Sequence, residues 1–566
     1  MEDEITNTTG ALGVWDYVII VATMIGSMGI GLYFRFSGGK QKTNEEYLLA
    51  DRNMSILPVA VSVMATYMSA ITLMGATAEI YYYGMQFIIM NIAYGISILL
   101  ASRYYLPVFF GLQKTSTYEY LELRFGPQIR LLASLTYTLQ MVLYNGIVLY
   151  APAIVIEAVT GLDRVISILV VGIGCTIYST LGGMKAVLFT DLLQALLMFA
   201  AVFSVLVFIP TYIKNYFFGL SFSVDPTERH TWWSLIIGGL FTYLSMNAVN
   251  HTQVLRLMTV STVERSQKCL WWSWPAFTLV SLTACLGGLG IYSVYKECDP
   301  LISESMTTMD QLMPYYVVDA MGHLPGLAGL FVAGIFSASL STVSSACNAL
   351  AAVTLWFKIS PSYINLTTKL AAAVFGLLFL ALAFIAEHLG GLLQAALTIF
   401  GAVGGPLLAV FTLGMFTTYA NDRGTSISLV TGLAITLWLS FGTPRPAPVK
   451  LPLSVEGCAM NVTIPPAVDT NPSDYFYLYR ISYMWISPGR IYLLLIIKNF
   501  NCSQIGFVWV FALGSIISLL WRQQQPWESA GQSHPDPALF TPPLARRIRA
   551  RYEKKPIQSP DNENMK

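Results

Sequence analysis

The amino-acid sequence predicts an all-α polytopic membrane protein with about 13 transmembrane helices, and three observations carry that prediction. Of 566 residues 55% are hydrophobic and only 11% charged, whereas an ordinary soluble domain carries about a quarter charged residues. Apolar stretches near the ~20 residues needed to cross a bilayer recur along the chain. The segments between them are mostly short and alternate in basic content.

The apolar stretches start near residues 13, 54, 86, 128, 163, 187, 232, 270, 315, 366, 391, 424 and 500. Ahead of the first, "MEDEITNTTG" is acidic and polar and shows no cleavable signal peptide, so the first span serves as its own insertion signal. Lys and Arg gather in alternate connections: Arg35, Lys40, Lys42 and Arg52, then Lys114, Arg124 and Arg130, then Arg256, Arg265 and Lys268, and finally the tail. The positive-inside rule makes this set cytoplasmic. The N-terminus, residues 1–12, is then extracellular, and the tail, residues 523–566, cytoplasmic.

Three glycosylation sequons, at Asn7, Asn461 and Asn501, fall outside in this scheme; those at Asn53, Asn250 and Asn365 do not and are expected to stay unmodified. Two connections are long, 296–314 and a Pro-rich one at 444–499, both assigned outside. Of seven cysteines, Cys298, Cys458 and Cys502 fall in or beside loops, which permits one extracellular disulfide with three pairings open. No spacing suggests zinc or a redox pair. The formal net charge of +1 gives no case for a nucleic-acid partner. The basic "ARRIRARYEKK" at 545–555 reads as a cytoplasmic segment near anionic lipid. No serine-triad, P-loop or dinucleotide fingerprint stands in a supporting context, so an enzyme is not expected, and no cofactor is implied. "LGGLG" at 286–290 reads as close helix packing.

Uncompensated polar groups are expensive in hydrocarbon, which makes those inside spans the functional candidates. The densest run is "FSASLSTVSSACNA", residues 336–349, with six hydroxyls and one amide. On a helix Ser337, Ser341, Ser344, Ser345 and Asn348 share a face, with Thr342 alongside. Two readings stand: hydroxyls bonded to carbonyls four residues back, or oxygen ligands for a small hard cation. Asp191, in "VLFTDLLQ", sits a turn or two inside its span, where a carboxylate either reaches interfacial water or serves the site. Thr66, Tyr67, Ser69 and Thr72 lie at mid-depth of the second span, and no Pro or Gly between Pro58 and Gly75 announces a break there. Tyr67, Tyr94, Tyr144 and Tyr243 occupy mid-span positions on four helices. No intramembrane Arg stands out as a clamp for a carboxylate.

These residues carry a resemblance. "TSTYEYLELRFG", "QMVLYNGIVLYAPA", "YSTLGGMKAVLFTDLLQ", "HTQVLR", "LPGLAGLFVAGIFSASLSTVSSACNALAAVT" and "GGPLLAVFTLGMF" resemble the sodium/solute symporters, within them the branch of sodium-dependent multivitamin, monocarboxylate and iodide transporters. The match runs from about residue 13 to 522. It implies a leucine-transporter-type core of two inverted five-helix repeats, about 54–220 and 232–419, in the plasma membrane.

It also implies a sodium-coupled symporter for a small organic anion, of the biotin, pantothenate or monocarboxylate type. Another solute (iodide, a sugar, choline) or a channel or sensor keeping the fold is the alternative. Sodium ligands carried over by motif are the carbonyls of Ala65, Met68 and Ala338 and the hydroxyls of Ser341 and Thr342. Asp191 matches the family's coupling aspartate. A second sodium implies Ser69 and Thr72, and the substrate implies Tyr67, Thr72, Met90, Asn91, Tyr144, Tyr243 and Phe400.

Four departures stand out. Thr72 replaces glutamine and Tyr243 tryptophan of the iodide transporter, which argues against iodide. "VNHTQ" adds His251 where the branch has glutamine. "VTLWFKISPSYINLTTK" after residue 352 lacks the branch's acidic pair and is short.

Overall fold

The computed structural model describes residues 12–36, 48–181, 183–209, 221–303, 306–354, 364–386, 391–446, 448–458, 475–485, 505–521, 525–529 and 534–552. Asn7, Asn461, Asn501, Cys502 and the connection at 355–363 lie outside them.

Every regular element among the described residues is helical. The first span is α1 (Val14–Phe36), followed by α2 (Ile56–Tyr67), α3 (Ala70–Tyr83), α4 (Met85–Leu112) and α5 (Pro127–Thr160). Next come α6 (Arg164–Leu181), α7 (Met184–Val207), α8 (Ser234–Val249), α9 (His251–Leu257) and α10 (Val263–Tyr295). The rest are α11 (Leu312–Met321), α12 (Leu327–Thr354), α13 (Ile364–Ala386), α14 (Leu392–Phe416), α15 (Asp422–Phe441) and α16 (Ile505–Leu520). Nine helices long and apolar enough to span, one bent pair (α2 with α3) and three shorter apolar helices in α6, α8 and α16 give thirteen crossings among the described residues.

One expected span begins later than its hydropathy suggests. The stretch near 315 forms the short α11; Gly322, Pro325 and Gly326 end it, and the membrane helix α12 starts only at Leu327. Gly326 has φ +87°, a conformation that side chains with a Cβ resist.

Packing is reciprocal. Take α2 with α3 as the first helix of one set of five and α8 with α9 as the first of another. The first helix of the first set then packs on the second of the other (α10), while the second of the first set (α4) packs on α8. Likewise α5 packs on α13, and α6 on α12. Such crosswise pairing is what two structurally related halves, related by a two-fold axis, produce. The close approach read from "LGGLG" is real: a Cβ on Gly288 of α10 would collide with the Thr77 carbonyl of α3.

At one end of the bundle Cys298 and Cys458 form a disulfide, one of the three pairings the sequence left open. The loop around it is tied to helix ends by Leu451 N–H to the Tyr82 carbonyl (2.7 Å) and Tyr292 O–H to the Pro452 carbonyl (2.8 Å).

At the opposite end Arg124, which charge counting places among loop cations, is fully buried. Its guanidinium donates to the carbonyls of Gly414 (3.1 Å) and Thr417 (2.9 Å) and to Gln525 Oε1 (3.2 Å), and faces the rings of Phe125, Trp527 and Phe540. Residues 525–529 and 534–552 therefore dock on the bundle through buried Trp527, Phe540 and Ile548, leaving Arg546, Arg547, Arg549 and Arg551 exposed.

Candidate functional site

The centre is built on two interruptions that lie in corresponding helices. Between α2 and α3 the chain leaves the helix at Met68 (φ −83°, ψ 68°) and Ser69 (φ −71°, ψ 164°), and the two halves bend by 54°. A helix end leaves its last carbonyls without intrahelical donors. Here Met68 N–H still reaches the Met64 carbonyl, but Tyr67 O accepts instead from the Thr72 hydroxyl (3.2 Å) and Thr66 O from the Thr342 hydroxyl (3.4 Å). Side chains thus hold open a break that no Pro or Gly makes. Between α8 and α9 the interruption is Asn250 (φ −63°, ψ 118°), whose side chain caps α9 by accepting from Thr252 N–H (3.0 Å).

The hydroxyl-rich helix α12 faces the first interruption. Ser341 donates to Asp191 Oδ1 (2.6 Å), and Thr342 donates to the Ala338 carbonyl (3.0 Å) as well as to Thr66. Of the other hydroxyls, Ser339 points away to the Val148 carbonyl of α5 (3.0 Å), while Ser344 and Ser345 bond back to the Ser341 carbonyl. The stripe is therefore divided. Ser344 and Ser345 follow the back-bonding pattern, and Ser341 and Thr342 reach across to α7 and α2. Thr342 with Ala338 and Thr66, and Ser341 with Asp191, are joined directly at this corner; Ala65 and Met68 are buried on α2 and at its break.

Asp191 is not at an interface. It is fully buried and ion-paired to Arg256, itself fully buried, with Nη2 to Oδ2 at 3.0 Å. Arg256 Nε donates to Ser62 Oγ (2.7 Å), Ser62 donates to Asp191, and Arg256 also bonds Ser345. Counting Arg256 with the basic loop residues is corrected here: it lies on α9, inside the protein. The missed signal was a pair of opposite charges on neighbouring spans of a bundle with very few others.

The expected substrate residues form two groups flanking the Met68–Ser69 corner. In one, the rings of Tyr67, Tyr94, Tyr243 and Phe277 pack together, Tyr67 to Tyr94 at 5.8 Å, Tyr94 to Tyr243 at 5.0 Å and Tyr94 stacked on Phe277 at 4.2 Å. Met90 packs on Gly239, one turn before Tyr243. Asn91 bonds the Ile88 carbonyl through Nδ2 (3.0 Å). In the other, Tyr144 meets Phe400 edge-on at 4.7 Å beside Ser69, whose hydroxyl lies 3.4 Å from that of Thr72. His251 borders Thr117, with Nδ1 at 3.5 Å from its hydroxyl. The Tyr67 hydroxyl and Asn91 Oδ1 are buried without a protein partner.

Toward the disulfide end lies a second charged cluster, whose members are far apart in the chain and share no motif. Arg229, just before α8, forms a two-pronged pair with Glu79 of α3 (2.7 and 3.0 Å), donates to Gln394 of α14 (3.0 Å) and lies over the Tyr83 ring (4.0 Å). His230 Nε2 sits 3.1 Å from Glu79 and 3.0 Å from the Tyr483 hydroxyl. Burial opposes charge on Arg229, but the Glu79 carboxylate more than offsets it and raises the pKa. For His230 burial prevails over the same carboxylate and lowers it, so the ring is neutral at physiological pH. No group of three or more metal-ligating side chains is present among the described residues.

A site of neutral hydroxyls and helix-end carbonyls beside one aspartate has the chemistry to suit a monovalent cation. The model of the sodium:solute symporter family matches residues 47–432. The chain is 46% identical to a Drosophila melanogaster protein named "Putative sodium-dependent multivitamin transporter", over 95% of this chain and 93% of that one. It is 39% identical to the Xenopus laevis sodium-coupled monocarboxylate transporter 1, over 90% and 86%. A solved Na+-coupled sialic acid symporter, in a substrate-bound outward-open state, shares the fold with TM-score 0.69 at 22% identity, over 90% of this chain and 98% of that one. The protein is thus a multi-pass, leucine-transporter-type sodium-coupled solute symporter: it belongs to the sodium:solute symporter family.

Proposed function

We propose that this symporter imports a small organic anion, of the biotin, pantothenate or monocarboxylate type, across the plasma membrane. The disulfide end and the N-terminus are extracellular and the Arg124 end cytoplasmic. The anion is proposed from the named substrates of its relatives; the observation that carries sodium coupling is the α12 corner. There the Thr342 hydroxyl bridges the Ala338 carbonyl of α12 and the Thr66 carbonyl just before the Met68–Ser69 break, and the Ser341 hydroxyl beside it donates to Asp191.

Sodium occupies that corner, with ligands from Ala65, Met68, Ala338, Ser341 and Thr342. Ser341 and Thr342 turn their hydroxyl protons away so that oxygen lone pairs face the ion, and Asp191 accepts the proton of Ser341. A second sodium is held by Ser69 and Thr72. Because the ion bridges α2 and α12, it stabilises the outward state and completes the aromatic pocket, and substrate then permits rocking to the inward state. In that pocket the Tyr67 hydroxyl and Asn91 supply polar contacts, and the rings of Tyr144, Tyr243 and Phe400 take apolar surface. Arg256 is assigned to the frame of the site rather than to the anion, since its Nε and Nη2 donate to Ser62, Asp191 and Ser345.

The driving force fits two sodiums per monoanion. At about −70 mV one net charge contributes about 1.6 kcal/mol, and each tenfold sodium gradient about 1.4 kcal/mol. Together about 4.4 kcal/mol supports roughly 10³-fold accumulation; one sodium per anion would support only about tenfold.

Uptake of labelled biotin, pantothenate, lactate, iodide, choline and glucose in expressing cells, with and without sodium, tests the substrate; equilibration without accumulation would mean a channel. Ser341→Ala with Thr342→Ala is expected to raise the sodium half-saturation concentration by about tenfold or more, from about 1 kcal/mol per lost ligand. Unchanged sodium dependence at normal surface expression would refute the assignment.

A further inference from the structure

On the solvent side of the Glu79–Arg229–Gln394 cluster opens a cavity of about 470 Å³, within the roughly 300–1,000 Å³ of small-molecule sites. Its floor includes Tyr83, Arg229 and His230, and its walls come from the two described ends of the long loop after α15. One end contributes Arg445 with Pro446 and Pro448, the other Tyr479 and Arg480.

The charge of the lining is lopsided: three guanidinium groups face a single carboxylate, Glu228. Glu79 neutralises Arg229 from below. The other two arginines bond no carboxylate among the described residues. Arg445 donates to the backbone carbonyls of Leu439 and Gly442, and Arg480 lies over the Tyr477 ring at 5.8 Å. A guanidinium presents a planar fork of donors that matches a carboxylate, and a cleft whose lining carries an excess of one sign concentrates the oppositely charged solute. Beneath the cluster lies a second, much smaller cavity of about 20 Å³ around Glu79, Asp310, Gly391 and Gln394. The large cavity is therefore a separate compartment, with the charged cluster between it and the centre.

We propose that this vestibule is an outer capture site for organic carboxylates, in which Arg445 and Arg480 hold the carboxylate and the proline and tyrosine walls cover its apolar part. The anion waits there until the Glu79–Arg229 pair parts. This inference rests on the organic-anion reading above.

The test is sodium-dependent uptake by the full chain, at saturating sodium, of labelled biotin, pantothenate and lactate, with surface expression measured for each variant. Arg480→Gln is expected to raise KM about threefold, and Arg480→Glu or Arg445→Gln with Arg480→Gln about tenfold, as lost steering and one lost charged bond predict. Maximal rate and sodium half-saturation stay unchanged. Arg480→Glu keeps the test sound if Arg445→Gln fails to assemble, since among the described residues the Arg480 side chain makes no hydrogen bond or ion pair and lies over the Tyr477 ring. Lys450→Gln, outside the cavity and over the Tyr82 ring, is expected to leave KM unmoved, which separates a site from general surface charge. Uptake with an unmoved KM in Arg480→Glu overturns the vestibule alone. Absence of sodium-dependent uptake of all three anions by the unmutated chain overturns the organic-anion reading, and the ligand assigned here with it.

Discussion

Two arginine–carboxylate pairs stand on opposite sides of the centre, and they differ in what water can do for them. Asp191–Arg256 is fully buried on both sides. Glu79–Arg229 is 7% and 14% exposed and borders the cavity of about 470 Å³. Each ties one half of an interrupted helix to its surroundings: α3 to the segment before α8 at the disulfide end, α9 to α2 and α7 at the opposite end. The inner pair also bonds Ser62 of α2 and Ser341 of α12, beside the proposed ion corner. The outer pair contacts the Tyr83 ring and the start of α14 through Gln394. Parting the first would strand a charge in the interior; parting the second would expose it to the adjoining cavity.

The largest effect expected from this contrast is on the inner pair. Asp191→Asn removes a charge and leaves Arg256 buried against a neutral amide, which costs about 3–5 kcal/mol. Thermal unfolding of the purified chain should shift down sharply, and little protein should reach the surface. Adding Arg256→Gln removes the stranded cation, so the double variant should assemble better than the single while still failing to transport with sodium. A single variant that unfolds like the unmutated chain would show that the pair is not a structural frame.

Glu79→Gln should cost less, about 1–2 kcal/mol, because Arg229 keeps Gln394 and the Tyr83 face and gains water from the vestibule. Double-mutant cycles on both pairs make the comparison quantitative: coupling energy for Asp191 with Arg256 should exceed that for Glu79 with Arg229 by at least about 1 kcal/mol. Equal couplings would mean that burial does not separate the two pairs.

The same contrast explains what could be read from the sequence. Thirteen crossings and the polar face of α12 were legible because hydropathy and helical period are local. The split of that face was not: Ser339 serves α5 while Ser341 serves α7, and only tertiary packing decides it. The Met68–Ser69 break was invisible because Thr72 and Thr342, not Pro or Gly, stabilise it. Arg256 was misread because a short helix after Asn250 continues the membrane path where charge counting saw a loop. Arg229 sits in a connection with no period at all, so nothing local pairs it with Glu79, 150 residues earlier. The resemblance pointed to Ser341, Thr342 and Asp191, which the fold brings together, but to neither arginine partner.

The smallest effect expected is a pH dependence at the disulfide end, beside the outer pair. Asp310 precedes α11, is 5% exposed and accepts from Leu392 N–H at the start of α14 (3.0 Å). Burial pushes its carboxyl up to about 6; the Leu392 amide opposes this, and the Glu79 carboxylate adds to it. A raised folded-state value means that the folded chain binds the proton more tightly than the unfolded one, whose carboxyl titrates near ~3.9. The stabilisation is therefore complete below about 4 and is lost as pH rises through about 6. Lowering external pH from about 7.5 to about 5.5 should stabilise the closed outer end by about 1 kcal/mol, seen as a higher unfolding temperature. Asp310→Asn should abolish that pH response while leaving the hydrogen bond from Leu392 an amide oxygen to accept it. A pH response that survives in Asp310→Asn would assign the proton to another group at the extracellular end.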